Sequence, residues 1–420
     1  MASRRNARAT SDFPRTPWPD STVALLREGY GFIGRRCRQY GDDAFRTRLM
    51  LRDALCMTGA DAAEMFYTGD RFSRQGAMPV TVLKLLQDRG SVQSLEDAAH
   101  RRRKELFLSL TTGAQVQRLC GHLVKAWRRR RPGWRLREHV VLYDEAFDIL
   151  TEAACAWAGA PLAGEALQRC SEALRAMVEG AGSIGPRNWR ALLLRERAER
   201  WAREQVEAAR SAKTATAGSP LQQLALHQEG GAPLPEAVAA VELLNLLRPI
   251  AAAAVYVTFV ALALHQHPQW RVAFAGGGKA ELDGFVQEVR RLAPFFPMIG
   301  GRARRAIEWR SRVINQGQWV LLDLYDSCRD PRVWEAPETF FPGRHRSGDL
   351  QVPGLVPQGA GDHGAGHRCP GEWMVVALMK EAVRLLCGET HYRVPEQDLS
   401  VALNRMPARP ASGFVMTEVR

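Results

Sequence analysis

Residues Leu355–Lys380 read LVPQGAGDHGAGHRCPGEWMVVALMK, a glycine-rich loop that leads to Cys369 and then, through Pro370-Gly371, into an apolar run at helical spacing. A cysteine at the start of a helix feels the positive end of the dipole and the unpaired backbone N–H groups, which favour its thiolate. Arg368 and His367 beside it add positive field, and the glycines let the backbone pass close to a flat, bulky ligand. Those are the requirements of a thiolate ligand to haem iron. Three other readings are open on this segment alone. Gly359 to Gly364 matches GxGxxG, although it lacks the βαβ setting that dinucleotide binding needs. His363, His367 and Cys369 offer zinc ligands, with no second pair at matching spacing. The third is a buried structural cysteine.

Outward from this loop, the 420-residue chain is 46% hydrophobic and 25% charged, the make-up of a globular protein with a large core. Its formal charge of +13 fits nucleic acid, an anionic surface or anionic small ligands. Much of the excess sits in Arg101–Lys104 and Arg128–Arg131, which read as solvated helix faces; neither cluster is interleaved with a nucleic-acid motif, so no nucleic-acid partner is expected. The eight cysteines form no CxxC pair, which fits a reducing, cytoplasmic location. Residues 1–19 are basic without an apolar signal region and read as a flexible tail, and residues 20–420 as a single domain. The longest uncharged stretch, Ile250–Leu264, suits a buried helix, and no transmembrane anchor is expected.

Apolar spacing predicts helices over Thr22–Arg36, Glu96–Ser109, Tyr143–Ala158, Glu165–Glu179, Trp189–Ala212 and Leu282–Leu292, and one long helix from Glu236 to about His267, ended by Pro268. Ser211–Pro235 reads as a long connection, and Asn315–Leu324 as a strand. The fold class expected is mainly α with a minor β-sheet. Within the long helix, Pro249 removes a hydrogen bond to the Asn245 carbonyl and should kink or widen the turn. Arg248 keeps its charge on a helix otherwise suited to burial, so it needs an anion nearby. Either Glu242 partners it near the surface, or a ligand does. Glu288 and Arg291, three apart, share one helix face, and so do His100 and Lys104, four apart.

The Cys369 loop resembles the haem-binding loop of cytochromes P-450 and, more narrowly, that of the bacterial fatty-acid peroxygenase family. Asp362 stands where the superfamily usually has an aromatic, Ala365 where it has glycine, and His367 where it has arginine, departures that this family itself shows. DSTVALLREGY, FSRQGAMP, AHRRRKELFLSL, FVQEVRRLAPFFP and RMPARPASGFVM extend the resemblance from about Asp20 to the C-terminus. The resemblance implies a cytochrome P-450 fold holding one haem b, with Cys369 as axial ligand and His367 beside it. It implies that His100 and Lys104, with Arg74 as a lesser candidate, bind the propionates, and that Glu288, Arg291 and Arg344 form a structural charge network. The acid–Thr pair of ordinary cytochromes P-450 is missing, since Val257 precedes Thr258. The family carries Arg-Pro instead, matched by Arg248-Pro249. By this resemblance Arg248 binds the substrate carboxylate, which supplies the general acid–base group. Gln93 faces the substrate near its α and β carbons, and Leu86 and Gln87 belong to the adjoining wall. The implied activity is hydroxylation of fatty acids at the α or β carbon by hydrogen peroxide without a dedicated reductase. The alternatives are oxidative decarboxylation to terminal alkenes, which His in place of Gln93 tends to accompany, and a reductase-dependent monooxygenase.

Overall fold

Where the sequence predicts one helix over Thr22–Arg36, the chain makes two, α1 (Thr22–Glu28) and α2 (Phe32–Tyr40). Gly29 divides them with a φ of 55°, and a Cβ there would lie 2.0 Å from the carbonyl oxygen of Leu403. The glycine thus lets the C-terminal loop touch the backbone, and Tyr30 N donates to Leu403 O at 3.0 Å. The computed structural model describes residues 12–88, 90–211, 218–345 and 352–420. Part of the segment assigned above to a flexible tail is folded: Phe13 is buried, Arg46 N donates to Pro14 O and Thr16 N to Arg46 O. Residues 1–11 lie outside the described residues.

The minor sheet has five strands, β1 (Ala44–Leu49), β2 (Arg52–Met57), β3 (Phe72–Ser73), β4 (Met298–Ala303) and β5 (Trp319–Asp323), in the order β1-β2-β5-β4-β3. β5 falls inside the strand expected over Asn315–Leu324. β1 and β2 pair antiparallel with Leu49 opposite Arg52, so Met50 and Leu51 alone make the turn.

Helices supply most of the rest, beside three two-stranded ribbons among the described residues. Between β2 and β4 the chain forms α3 (Ala60–Tyr67), α4 (Val80–Leu86), α5 (Asp97–Ser109), α6 (Gly113–Trp134), α7 (Leu142–Ala158), α8 (Gly164–Gly180) and α9 (Pro186–Arg210). α10 (Pro220–Leu226), α11 (Glu236–Ala252), α12 (Ala254–Gln266), α13 (Pro268–Ala275) and α14 (Leu282–Leu292) follow, and α15 (Glu372–Arg384) lies after the cysteine loop. The connection expected over Ser211–Pro235 contains α10 and a small hairpin pairing Gln228–Glu229 with Ala232–Pro233. The expected long helix is α11 and α12 with a break at Ala253, whose N–H bonds to Ile250 O and not to the Pro249 carbonyl. The irregularity thus falls four residues beyond the proline. Glu236–Gln266 is long and apolar enough to cross a membrane, but 94% of its most apolar window is buried inside the protein. It packs with α7, α9 and α15 in the principal hydrophobic core.

Candidate active site

Cys369 lies two residues ahead of Gly371, the N-cap of α15. Its backbone N donates to Gln358 O at 3.2 Å, and the Gln358 side chain donates to Sγ at 3.9 Å. The loop glycines are needed by the loop itself, and Gly359 and Gly371 also line a cavity beside Cys369. Gly359 and Gly361 have φ of 91° and 80° and abut Tyr67, and a Cβ on Gly366 would meet Asp362 O at 2.7 Å. Below the loop, Glu372 accepts from Arg290 at 2.6 Å and from Arg368 at 2.7 Å, all three buried. Arg368 is therefore engaged with Glu372 and is not a free source of positive field. Burial pushes the Cys369 thiol up, Glu372 adds to this, and the Gly371 N–H, Lys104 and Arg290 offset it in part. Burial thus outweighs the lowering expected from a helix start.

Cys369 lines this cavity, of about 290 Å³, together with Arg74, His100, Lys104 and His367, and no aspartate or glutamate is among its described lining residues. Lys104 is buried, not on a solvated face as expected: its Nζ donates to the carbonyls of Gly366 and Arg368. Burial lowers it to about 8. Arg103 is buried too, while Arg101 and Arg102 are exposed. The rings of His100 and His367 lie 4.0 Å apart, tilted by 32°, and burial, then His367 and Lys104, lower His100 to about 3. Burial likewise lowers His367, against the pull of Glu96, so His367 adds less positive field than expected. Arg74 donates to Gly300 O at 2.8 Å, over the Phe66 ring. A buried thiol facing nitrogen donors with no carboxylate between them fits a flat, anionic metal complex such as haem.

Above the cavity, α11 presents Asn245, Pro249 and Ile250 to it, with Ala253 from the break and Gln93 and Gln87 from the segment before α5. Arg248 and Leu86 are not among the lining residues. Arg248 is buried, and its Nη2 donates to Leu86 O and to Asn245 Oδ1 (2.8 Å), while Nη1 has no partner among the described residues. Glu242 does not pair with it. Glu242 is taken by Arg103 at 2.5 Å and by the amide of Asn245 at 2.9 Å, and Arg103 also reaches Glu229 at 2.7 Å. Because the carboxylate of Glu242 only accepts, it turns Nδ2 of Asn245 toward itself and leaves Oδ1 for Arg248. The same Nδ2 lies 3.3 Å from Gln93 Oε1. Burial lowers Arg248 to about 9, Arg195 adds to this, and Glu242 opposes it. Thr258 has no free hydroxyl to offer, since Oγ1 donates to Ala254 O at 2.8 Å within its own helix.

Away from the cavity, Glu288 accepts from Arg291 at 2.8 and 2.9 Å, from Arg344 at 3.1 Å, and is 2.9 Å from His345 Nε2. Despite burial, these partners hold it at about 2. Spacing could not reveal His345, Arg290–Glu372 or Arg103–Glu242, because each pair is far apart in the chain.

The cytochrome P450 family pattern matches residues 282–385. Rhazimal synthase of Alstonia scholaris is 36% identical over 134 residues, a match spanning 25% of that protein, and (+)-menthofuran synthase of Mentha piperita is 33% identical over 140 residues, spanning 27% of it. The chain thus spans about a quarter of the curated plant relatives it matches. Solved structures cover far more. Cytochrome P450SP alpha (CYP152B1), in complex with (R)-ibuprophen, has a TM-score of 0.92 and 44% identity over 96% of this chain and 99% of that one. Cytochrome P450EX alpha (CYP152N1) with myristic acid has a TM-score of 0.93 and 37% identity over 98% and 100%. A variant of cytochrome P450 OleT in complex with arachidonic acid has a TM-score of 0.94 and 29% identity over 98% and 99%. The fold and the cysteine loop are those of a haem-thiolate oxidoreductase, a cytochrome P450. Within that superfamily the chain belongs to the CYP152 family of fatty-acid peroxygenases.

Proposed function

We propose that this chain uses hydrogen peroxide to hydroxylate fatty acids at the α or β carbon, without a dedicated reductase. The reading is carried by Arg248, a buried guanidinium with an unpartnered nitrogen and no carboxylate of its own. A free fatty acid offers the missing anion in a planar, bidentate form that matches the guanidinium. P450EX alpha is solved with myristic acid and an OleT variant with arachidonic acid, which supports this substrate class.

In this reading Cys369 would hold the iron of haem b, and His100, Lys104 and Arg74 would receive its propionates, with the His367 ring 4.0 Å from that of His100. Bound haem supplies the iron centre at which peroxide is activated and oxygen reaches carbon. The protein's own part is to position. Arg248 offers its unpartnered Nη1 to the carboxylate, Asn245 Oδ1 keeps Nη2 aligned, and Pro249 and Gln93 wall the carbons next to the carboxyl group. With Thr258 bonded into its own helix, the substrate carboxylate takes the general acid–base role. Gln93, held by Asn245, favours hydroxylation over loss of carbon dioxide.

Product analysis by mass spectrometry, with purified holoenzyme, peroxide and a panel of fatty acids, tests the reading. The expected products are 2- and 3-hydroxy acids. Terminal alkenes as the main product would establish decarboxylation. Turnover with NAD(P)H and a reductase but none with peroxide would replace the reading with a monooxygenase.

A further inference from the structure

The turn between β1 and β2 carries residues that suit its backbone badly. Leu49 faces Arg52, so Met50 and Leu51 reverse the chain alone, with φ of 51° and 61°. Two successive left-handed residues in a two-residue hairpin turn call for Asn-Gly, and both Met and Leu are strained there. Nor are the side chains sheltered: Met50 is 42% exposed and Leu51 79%. Strain and exposed apolar surface therefore coincide at one tip, and neither helps the isolated chain.

Hydrogen bonds clamp this tip to a second exposed apolar segment. Met50 N donates to Thr22 Oγ1 at 2.6 Å and Leu51 N to Asp20 Oδ2 at 2.7 Å. On either side of that anchor stand Trp18, 69% exposed, and Val23, 61% exposed. The surroundings are basic. Arg15, Arg27, Arg48 and Arg52 are all exposed. Asp53 lies 3.3 Å from Arg15 and 3.7 Å from Arg48, while Arg27 and Arg52 have no acidic partner among the described residues. The sequence just before this segment adds Arg4, Arg5 and Arg8.

A tryptophan and aliphatic tips ringed by arginines match the layered chemistry of an anionic bilayer surface. Tryptophan prefers the headgroup level, aliphatic tips enter the acyl boundary, and guanidinium groups bond to lipid phosphates. We propose that Trp18, Val23, Met50 and Leu51 form a peripheral docking surface for anionic phospholipid bilayers. A second copy of the chain fits less well, because a symmetric contact would set the same arginines against one another. Docking needs no spanning helix and is independent of the chemistry in the cavity. That it draws fatty acid from the membrane in which such substrates dissolve rests on the function proposed above.

Vesicle flotation with full-length holoenzyme tests the surface. The wild-type protein should float with vesicles of equal parts phosphatidylglycerol and phosphatidylcholine, less so at high salt, and stay in solution with phosphatidylcholine alone. The double variant M50N/L51G gives the turn the residues its backbone prefers while deleting both tips. It should melt at or above the wild-type temperature yet bind anionic vesicles at least about tenfold more weakly, the effect of one large aliphatic side chain left in water. Arg27→Gln with Arg52→Gln should weaken binding as well. Wild-type protein that ignores anionic vesicles, or M50N/L51G that binds them as the wild type does, overturns the proposal. A dimer seen by sedimentation that M50N/L51G dissolves, with no flotation, assigns the surface to a second copy instead. Normal flotation without faster conversion of vesicle-dissolved fatty acid leaves docking intact and removes the delivery role.

Discussion

Two buried arginines, Arg291 on α14 and Arg248 on α11, differ in what surrounds them. Arg291 meets the Glu288 carboxylate with two nitrogens and the carbonyls of Cys328 (2.9 Å) and Pro337 (2.7 Å) with the third. Arg248 spends one nitrogen on a backbone carbonyl and an amide oxygen, leaves another without a partner, and has no carboxylate. Desolvation penalises both charges, but only Arg291 is offset from within the chain. A buried charge whose counter-ion is built in holds the fold together. One whose counter-ion is missing destabilises the fold and is poised for an anion from outside.

The hardest test of that contrast is to break the complete set. Glu288→Gln leaves Arg291 without its countercharge and should cost about 3–5 kcal/mol of stability, read as loss of folded holoenzyme in denaturant titrations. Glu288 is held at about 2 against an ordinary 4.5, so its contribution is present above pH 4.5 and disappears as the pH falls toward 2. The acid limb of a stability–pH curve followed by circular dichroism should be shallower in the variant. Arg248→Met should behave in the opposite way. The ligand-free protein should be as stable as the wild type or more so, by about 1 kcal/mol, since an uncompensated charge has left the interior. Its kcat/KM for free fatty acids should nevertheless fall by about 2–4 kcal/mol, or roughly 30- to 1,000-fold, with kcat reduced and not only KM raised. Arg248 sits at about 9, below its ordinary 12.5, so its charge costs stability below pH 9 and that cost is relieved as the pH rises. Fatty-acid affinity, measured by titration of the wild type, should accordingly decline above pH 9. The smallest effect belongs to Asn245→Ala, which removes one acceptor from Arg248 and should weaken fatty-acid binding by about 1 kcal/mol. If Arg248→Met destabilises as severely as Glu288→Gln, the two arginines are of one kind and the contrast fails.

What the sequence made legible was local. The run ahead of α15, the pair Glu288 and Arg291 one turn apart, and the apolar length of α11 and α12 are all contained in short windows. The division at Gly29 was not, because its cause is the Leu403 carbonyl lying against the backbone from the far end of the chain. The second half of the Arg101–Lys104 run misled for the same reason. Arg103 and Lys104 look like a solvated face until Glu242 and the carbonyls of Gly366 and Arg368 close over them. Arg290 went unremarked beside Arg291 because its partner, Glu372, is 82 residues away. The bond from Arg248 to the Leu86 carbonyl was not legible either, since the two residues are 162 positions apart.

The cavity wall has a further consequence for how the protein comes into being. Arg74, His100, Lys104 and His367 converge on a thiol with no carboxylate among the lining residues, so the polypeptide completes only one side of that electrostatic arrangement. The other side arrives with the prosthetic group. A prosthetic group that carries negative charge would complete that arrangement, so its binding should raise the stability of the folded chain by linkage.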